Sequence, residues 1–289
     1  MKRLLKKYLP KTYLKFLEKL ISKLSLESLI VGFIKSLKIE RAVKIKQDLF
    51  FLGRLDYPHD RILMKLDSFV QIGRLSACKK EPETVAWIEK YMQPGDKFYD
   101  IGANVGAYSF VACSVAKNDC LIYAFEPSYS TYNALCENIQ INSKQGEIIP
   151  VNVVLMDRTS LFSFHYSSLL PGTAMHDISG DVHDSHAQTT SKYTQTILGY
   201  RLDDLVSQFK FSMPNLIKVD VDGTEYEVLR GAANILASDD VRTLLVEIDE
   251  SLPDDIIHFL AEKGFGVEEK HSRGKSTRWH NYIFTKSGV

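Results

Sequence analysis

Residues 98–106, with the sequence FYDIGANVG, combine an acidic side chain with two glycines directly after an apolar segment. This pattern predicts a buried strand, a tight glycine turn and the first turn of a helix. Gly102 lets the backbone turn sharply and lets a ligand approach without a β-carbon in the way. Asp100 stands at the strand end, where it can bind a ligand amine. The spacing therefore predicts a site for a nucleotide-like ligand at the carboxyl end of a parallel strand.

A second acidic residue follows the next apolar segment. Residues 121–125, LIYAF, predict a short strand, and Glu126 and Pro127 follow it directly. An acidic side chain roughly 20 residues after a glycine turn is placed to accept hydrogen bonds from both ribose hydroxyls of a nucleoside. The two turns together favour a ligand that contains a nucleoside.

The glycine spacing separates two kinds of nucleoside ligand. A dinucleotide site requires glycines at the positions that Asn104 and Ala107 occupy here. The observed D-x-G-x-x-x-G pattern resembles the S-adenosylmethionine turn of Rossmann-like methyltransferases, whose ligand carries no phosphate. The resemblance implies an S-adenosyl-L-methionine site formed by Asp100, Gly102, Asn104, Gly106, Glu126 and Pro127.

A third group of charged residues lies in the second half of the chain. Lys218, Asp220 and Asp222 alternate along a predicted strand, so their side chains share one face. A lysine inside a parallel strand is costly to bury unless it is paired, and Asp220, Glu225 or Glu247 could pair it. The cluster is either part of a functional site at the strand's carboxyl end or a buried ion-pair network that joins two strands.

The apolar periodicity predicts seven strands with helices between the first six. The predicted strands are residues 98–101, 121–125, 148–154, 216–221, 243–248, 265–270 and 281–285. Strands separated by helices require a parallel sheet with right-handed crossovers, and the short last connection predicts an antiparallel final pair. The sequence thus predicts an α/β, Rossmann-like, mostly parallel sheet with helices on both faces.

The amino-terminal residues differ from the rest in charge. Residues 1–48 contain 13 Lys and Arg against 4 Asp and Glu, whereas the remainder contains 23 against 32. Residues 10–24 and 26–38 predict helices, and the first of them is amphipathic with lysines at every fourth position. A basic amphipathic helix can lie on an anionic membrane surface, or its apolar stripe can pack on the catalytic domain or on a second subunit. The pattern leaves these alternatives open.

The chain is predicted to have two parts. Residues 1–78 form the basic helical arm followed by short strands between residues 48 and 75, and residues 79–289 form the ligand-binding domain. No apolar run is long enough to span a bilayer, and no signal peptide is evident. The four cysteines lack metal-site or C-x-x-C spacing, which favours reduced thiols in a cytoplasmic protein.

Residues 167–193 are polar and lack periodicity, and they follow an extra strand predicted at residues 161–166. Irregular segments of this length are often lids or binding loops. This one contains His176, His183 and His186 beside aspartates, but no pair has a spacing typical of a metal site. We therefore expect a solvated loop and no metal centre.

These motifs together resemble the FkbM-type branch of the class I methyltransferases. The carrying motifs are residues 100–106, 125–127 and 217–225, supported by residues 202–205 and 246–248. One departure is Asp222, where the family usually has glutamate. The resemblance covers roughly residues 81–285 and implies an S-adenosylmethionine-dependent methyltransferase (EC 2.1.1.-). Its acceptor would be a hydroxyl of a sugar, a glycan or another secondary-metabolite alcohol.

Methyl transfer to an alcohol requires removal of the hydroxyl proton as well as positioning of the activated donor. We hypothesise that Asp220 or Glu225 is the general base, and that Lys218 and Glu247 orient the network or the substrate. The alternative is a Mg²⁺ ion bound by Asp220 and Glu247.

Three rival functions predict different features. An oxidoreductase would need the missing dinucleotide glycines. A non-catalytic scaffold of the same fold, held at a membrane surface, would be free to lose the charged cluster at residues 218–225. A nucleic-acid methyltransferase would suit the basic arm, but the chain lacks an Asn/Asp-Pro-Pro-aromatic motif for base amines. We therefore expect a small-molecule or glycan acceptor and no nucleic acid, with peripheral membrane contact through residues 1–48 and a homo-oligomer left open.

Overall fold

A computed structural model describes residues 25–181, 193–250, 253–272 and 278–286. The chain divides into two compact units, Met1–Phe50 and Phe51–Val289. The predicted helix at residues 10–24 and its lysines lie outside the described residues, as do His183 and His186. The predicted division into residues 1–78 and 79–289 stays a prediction.

Two helices make up most of the described part of the first unit, α1 Leu26–Ser36 and α2 Ile39–Asp48. The hydroxyl of Ser25 caps α1 by accepting a hydrogen bond from the Ser28 amide at 3.2 Å. Leu37 has an extended backbone and ends α1, so the single helix predicted to residue 38 ends earlier and a second one follows. Among the described residues, no helix has the length and apolar character to cross a membrane.

The second unit contains both sheets. In chain order its elements are β1 Leu52–Arg54, β2 Leu63–Lys65, α3 Phe69–Arg74, α4 Ala77–Lys80, α5 Pro82–Tyr91, β3 Lys97–Ile101, α6 Ala107–Val115, β4 Leu121–Phe125, α7 Tyr129–Ile141, β5 Ile148–Val151, β6 Val154–Leu155, β7 Ser160–Tyr166, β8 Asp177–Asp181, β9 Tyr193–Tyr200, α8 Leu202–Phe209, β10 Leu216–Val219, α9 Glu225–Gly231, α10 Ala233–Ala237, β11 Thr243–Asp249, α11 Pro253–Glu262, β12 Phe265–Ser272 and β13 Trp279–Lys286.

Seven strands form the central sheet in the order β12-β13-β11-β10-β3-β4-β5. β11, β10, β3, β4 and β5 run parallel, whereas β13 runs antiparallel to both of its neighbours. The predicted α/β, Rossmann-like, mostly parallel sheet with an antiparallel last pair is confirmed. β3 and β10 are adjacent, with Ile101 opposite Val219, so their carboxyl ends meet at one edge of the sheet.

Alternating side chains of the central strands pack into two cores. Phe98 and Leu216 face one core with Trp87 of α5, whereas Tyr99 and Ile217 face the other. β3 and β10 are buried on both faces because helices cover both sides of the sheet.

A separate four-stranded sheet has the order β6-β9-β7-β8. The predicted third strand at residues 148–154 was wrong at its end: β5 stops at Val151, and β6 leaves the central sheet to pair with β9. Residues 177–181 were expected in a loop but form β8, which pairs with β7. Its sequence, DISGD, lacks the alternation of apolar and polar residues that would have indicated a strand.

Residues 51–80, which we call the cover segment, contain a hairpin and two short helices. The side-chain oxygens of Asn138 and Asn142 on α7 accept hydrogen bonds from the amides of Lys65 and Leu63, at 2.8 and 2.9 Å, and hold β2. The prediction of strands up to residue 75 was wrong for α3. Ser68 starts that helix in a capping box with Gln71, a signal present in the sequence.

Candidate functional site

The glycine turn after β3 is closed by contact with β10. Gly102 has a φ of 79°, and a β-carbon on it would lie 1.8 Å from the carbonyl oxygen of Asp220. Gly106 has a φ of 93° and faces Leu135 of α7, where a β-carbon would lie 2.7 Å from the leucine side chain. Gly102 is therefore required by packing against the backbone, and Gly106 is favoured by its left-handed conformation. Their contact with a cofactor stays a prediction.

Glu126 lies at the carboxyl end of β4 and binds two backbone amides. One oxygen accepts from the amide of Asn104 at 3.0 Å and the other from the amide of Ser128 at 2.9 Å. Burial raises the pKa of Glu126 to about 7, although these hydrogen bonds and the charge of Arg74 oppose the shift. Each carboxylate oxygen retains acceptor capacity toward the cleft, as binding of ribose hydroxyls requires.

Asp100 is fully buried behind the turn. One of its oxygens accepts from the Ser109 hydroxyl at 2.6 Å, and the other lies 3.6 Å from the ammonium of Lys218. The Lys218 ammonium is also 3.1 Å from a carboxylate oxygen of Asp220. Burial lowers the pKa of Lys218, but Asp220, Asp100 and Glu81 outweigh it and leave the pKa above its ordinary value. Lys218 is thus charged and forms ion pairs with both aspartates.

The other two predicted catalytic carboxylates have different surroundings. Glu225 starts α9, and one of its oxygens accepts from the amides of Val221 and Gly223 at 3.2 and 3.0 Å. Burial raises the pKa of Glu225 to about 7. Glu247 is buried on β11 opposite Asn281 of β13 and does not line the cleft. Lys218 and Asp220 line the cavities described below. The catalytic roles of all four residues stay predictions.

A cleft opens over the carboxyl ends of β3, β4 and β10, with about 760 Å³ of space that is partly open to solvent. Its floor carries Gly102, Asn104, Glu126, Pro127 and Asp220. A smaller side pocket adjoins it and is lined by Gly102, Asn104, Lys80, Tyr108 and Lys218. Asp220 and Arg74 line both cavities, and therefore lie where the two meet.

Residues 167–176, which we call the strap, cross the cleft. The carbonyl of Thr173 accepts from the Asn104 side-chain amide at 3.2 Å, and the amide of Met175 donates to Asp222 at 2.7 Å. The carbonyl of Gly172 accepts from Nε of Arg74 at 2.9 Å. The expectation of a solvated loop is therefore wrong for this part of residues 167–193, because backbone groups of the strap bind residues of the floor.

His176 at the end of the strap lines the cleft, packed against Phe164 and Tyr166. Its Nδ1 accepts from the amide of Ser167 at 3.2 Å, which assigns the proton of the neutral ring to Nε2. Burial lowers the pKa of His176, more than a nearby carbonyl of Thr173 raises it. Nε2 is buried without a hydrogen-bond partner, so the neutral ring offers a donor to a ligand.

The arrangement fits a nucleoside sulfonium. Glu126 retains acceptor capacity for ribose hydroxyls, the buried Nε2 of His176 lacks a partner, and the carboxylate of Asp220 suits a nearby positive charge. Among the residues that the structure describes, no group of three or more His, Cys, Asp or Glu side chains is placed to hold a metal ion.

Sequence reasoning missed two residues of the site and the placement of a third. Arg74 comes from a cover helix whose placement over the sheet has no local signal. Asn152 donates from its side chain to the carbonyls of Glu126 and Pro127 at 2.8 and 2.9 Å and fixes that turn. His176 was noted, but only the pairing of β7 with β8 brings it to the cleft.

Comparisons with known proteins agree with this geometry. The family model of the methyltransferase FkbM domain matches residues 100–267. Hexuronic acid methyltransferase AglP of Haloferax volcanii is 29% identical over 204 residues, which are 70% of this chain and 77% of that protein.

Two solved structures are more distant. Methyltransferase FkbM from Methylobacillus flagellatus KT is 15% identical with a TM-score of 0.49. The match covers 75% of this chain and 52% of that one, so this chain spans about half of its length. TYW2 of M. jannaschii, solved in complex with AdoMet, is 13% identical with a TM-score of 0.45, over 82% of this chain and 87% of that one.

The glycine turn, Glu126, and the Lys218–Asp220 pair all lie within the 168 residues that the family model matches. The chain belongs to the methyltransferase FkbM domain family and is an S-adenosylmethionine-dependent methyltransferase.

Proposed function

We propose that this enzyme methylates a hydroxyl of an acidic sugar, free or within a glycan. The observation that carries the proposal is the position of Asp220, whose carboxylate lies where the cleft meets the side pocket. S-adenosylmethionine supplies an activated methyl group when it is bound. The chain's own residues must then orient the acceptor and remove its proton.

Asp220 is the proposed general base. Its side chain is 18% exposed, so a ligand can reach it, and Lys218 holds it from behind at 3.1 Å. Glu225 is less suited, since one of its oxygens is already bound to two backbone amides that shape the turn beside Asp220. We therefore assign Glu225 to positioning of the turn and Asp220 to proton removal.

The acidic character of the acceptor is inferred from Arg74. Arg74 lines both cavities, and its Nε donates to the strap. A guanidinium in a cleft pairs favourably with a ligand carboxylate, either that of the acceptor or that of the cofactor. The relative from Haloferax volcanii, named as a hexuronic acid methyltransferase, supports a sugar that carries such a group.

Transfer of a labelled methyl group tests this function. The acceptors would be matched pairs of oligosaccharides that differ only in carrying a hexuronic acid or the corresponding neutral hexose. We expect transfer to the acidic member, with the label stable to mild base because it is an ether. A base-labile label would identify carboxylate methylation instead. Binding of S-adenosylhomocysteine without transfer to any acceptor would favour the non-catalytic scaffold.

The variant Arg74→Gln shows which ligand carboxylate Arg74 binds, that of the acceptor or that of the cofactor. If it binds the acceptor, we expect KM for the acidic sugar to rise about tenfold or more while the affinity for S-adenosylhomocysteine stays unchanged. If it binds the amino-acid part of the cofactor, the variant loses affinity for S-adenosylhomocysteine but not for 5′-methylthioadenosine, which lacks that part. Lys79→Gln, an exposed cation nearby, is the matched control.

We also propose that the enzyme acts in the cytoplasm, with residues 1–48 in peripheral contact with an anionic membrane. The excess of 13 basic over 4 acidic residues supports this. The membrane-bound fraction after cell lysis should fall as salt is added. A fraction that does not respond to salt would contradict the electrostatic contact.

A further inference from the structure

Four apolar side chains stand exposed on α3 and on the strap, two segments that contribute other residues to the cleft lining. Phe69 is 91% exposed and Ile72 49% on α3, and Leu170 is 52% and Met175 67% exposed on the strap. We call these four residues the rim. Single exposed apolar residues are common, but a cluster beside a binding site indicates an interaction surface.

The two parts of the rim are joined by direct contacts. The hydroxyl of Ser68 donates to the carbonyl of Pro171 at 2.8 Å, and a β-carbon on Gly172 would lie 3.1 Å from the side chain of Gln71. On α3, Gln71 and Arg74 face inward to the strap and cleft, so Phe69 and Ile72, three residues apart, share the outward face.

The cover segment, which carries the α3 part of the rim, is basic. Residues 51–80 contain 6 Lys and Arg against 3 Asp and Glu, whereas residues 81–289 contain 17 against 29. The exposed Lys79 and Lys80 lie on α4, the helix that follows α3. The acidic excess is confined to the rest of the catalytic unit.

We propose that the rim inserts into a lipid surface that carries anionic headgroups, so that the mouth of the cleft faces the membrane. Apolar side chains beside lysines and arginines are the composition of segments that lie at the boundary of headgroups and acyl chains. Three of the four rim residues are aliphatic or thioether side chains and cannot stack on bases as a nucleic-acid surface would. Methyl acceptors attached to a lipid would then reach Asp220 without leaving the membrane.

The difference in tryptophan fluorescence between a variant and the unaltered chain, which contains Trp87 and Trp279, tests insertion at one position. Phe69→Trp is mixed with vesicles of phosphatidylcholine, with and without phosphatidylglycerol, and Val267→Trp on β12 is the matched control at an exposed position. We expect a blue shift and quenching by brominated acyl chains for Phe69→Trp with the anionic vesicles alone, and no change for Val267→Trp. An unchanged Phe69→Trp spectrum while the protein sediments with the vesicles would overturn the proposal and assign binding to the arm.

Affinity gives an independent readout. The double variant Phe69→Ser/Ile72→Ser should bind anionic vesicles at least about tenfold more weakly than Val267→Ser, since it removes two side chains that enter the apolar layer. Equal affinities would contradict a docking role, as would binding to mixed-sequence RNA or to a protein partner in place of vesicles. The assay involves no methyl transfer, so its failure leaves the proposed acceptor chemistry standing.

Discussion

The floor of the cleft and the strap that crosses it are held in place by different kinds of contact. On the floor, Asp100 and Lys218 are almost fully buried, and charged groups bind one another within the protein. The strap is held chiefly by backbone groups, such as the Gly172 carbonyl and the Met175 amide, bonded to exposed or half-buried side chains. A buried charged network tolerates little change, whereas separate hydrogen bonds can be broken one at a time. The comparison predicts that chemistry depends on the floor and that the strap controls access.

Removing the central cation of the floor should have the largest effect on stability. Lys218→Met leaves Asp100 and Asp220 without their cation, and we expect the free energy of unfolding to fall by about 3–5 kcal/mol in urea titration. Lys79→Met at an exposed site should change it little. The double variant Lys218→Met/Asp220→Asn should recover part of the loss. A loss as small as that of Lys79→Met would show that the floor is not a coupled network.

The buried carboxyls predict how stability depends on pH. Burial raises the pKa of both Glu126 and Glu225 to about 7. Between about pH 4.5 and pH 7 the folded protein holds protons that the unfolded chain releases, so the free energy of unfolding falls as pH rises. The limit is about 3 kcal/mol for each carboxyl. Urea titrations across this range test the sign, and Glu126→Gln or Glu225→Gln should flatten the slope. A stability that rises with pH would contradict it.

Cofactor affinity should show the opposite trend at Glu126. Ribose hydroxyls donate to the ionised carboxylate, so the affinity for S-adenosylhomocysteine should rise as pH increases through about 7, by up to about tenfold per pH unit. Calorimetric titration at several pH values measures this. Glu126→Gln should bind S-adenosylhomocysteine weakly at every pH. If this variant keeps the wild-type pH profile, Glu126 does not bind the ribose.

The floor was predictable from sequence because its signals are local. Glu126 directly follows a short apolar strand, and Lys218 and Asp220 lie two residues apart on one strand. Their neighbours in space follow from the rule that parallel strands end at a common edge. The pairing of Lys218 with Asp100 also depends on β3 and β10 being adjacent, which the helical connections alone do not specify.

The positions of the strap and of the cover segment could not be predicted from the sequence, and the reason is physical. The strap and Arg74 reach the cleft through contacts between segments about 100 residues apart, such as Ser68 with Pro171. No periodicity in either segment encodes such contacts. α3 had a capping-box signal in Ser68 and Gln71 that indicates a helix start, but not where the helix packs.

The smallest effect on stability is expected at the contact between the cover segment and the strap. Ser68→Ala removes the bond to Pro171 and the cap on Gln71, which should cost about 1 kcal/mol of stability and speed the release of S-adenosylhomocysteine a few-fold. Ser76→Ala is the matched control, because that hydroxyl makes no capping bond to α4. Stopped-flow release of the ligand measures the rate. Identical release rates in the two variants would mean that the strap does not control access.

The most direct test of the account compares Asp220→Asn with Glu225→Gln, with Asp119→Asn as an exposed control. Turnover with a competent acceptor and the affinity for S-adenosylhomocysteine would be measured for each. We predict that Asp220→Asn lowers kcat by about 10²–10⁴-fold while cofactor affinity changes a few-fold at most. Glu225→Gln should retain most activity, since its amide oxygen still accepts from the turn. Near wild-type turnover in Asp220→Asn, or loss of turnover in Glu225→Gln alone, would contradict Asp220 as the base.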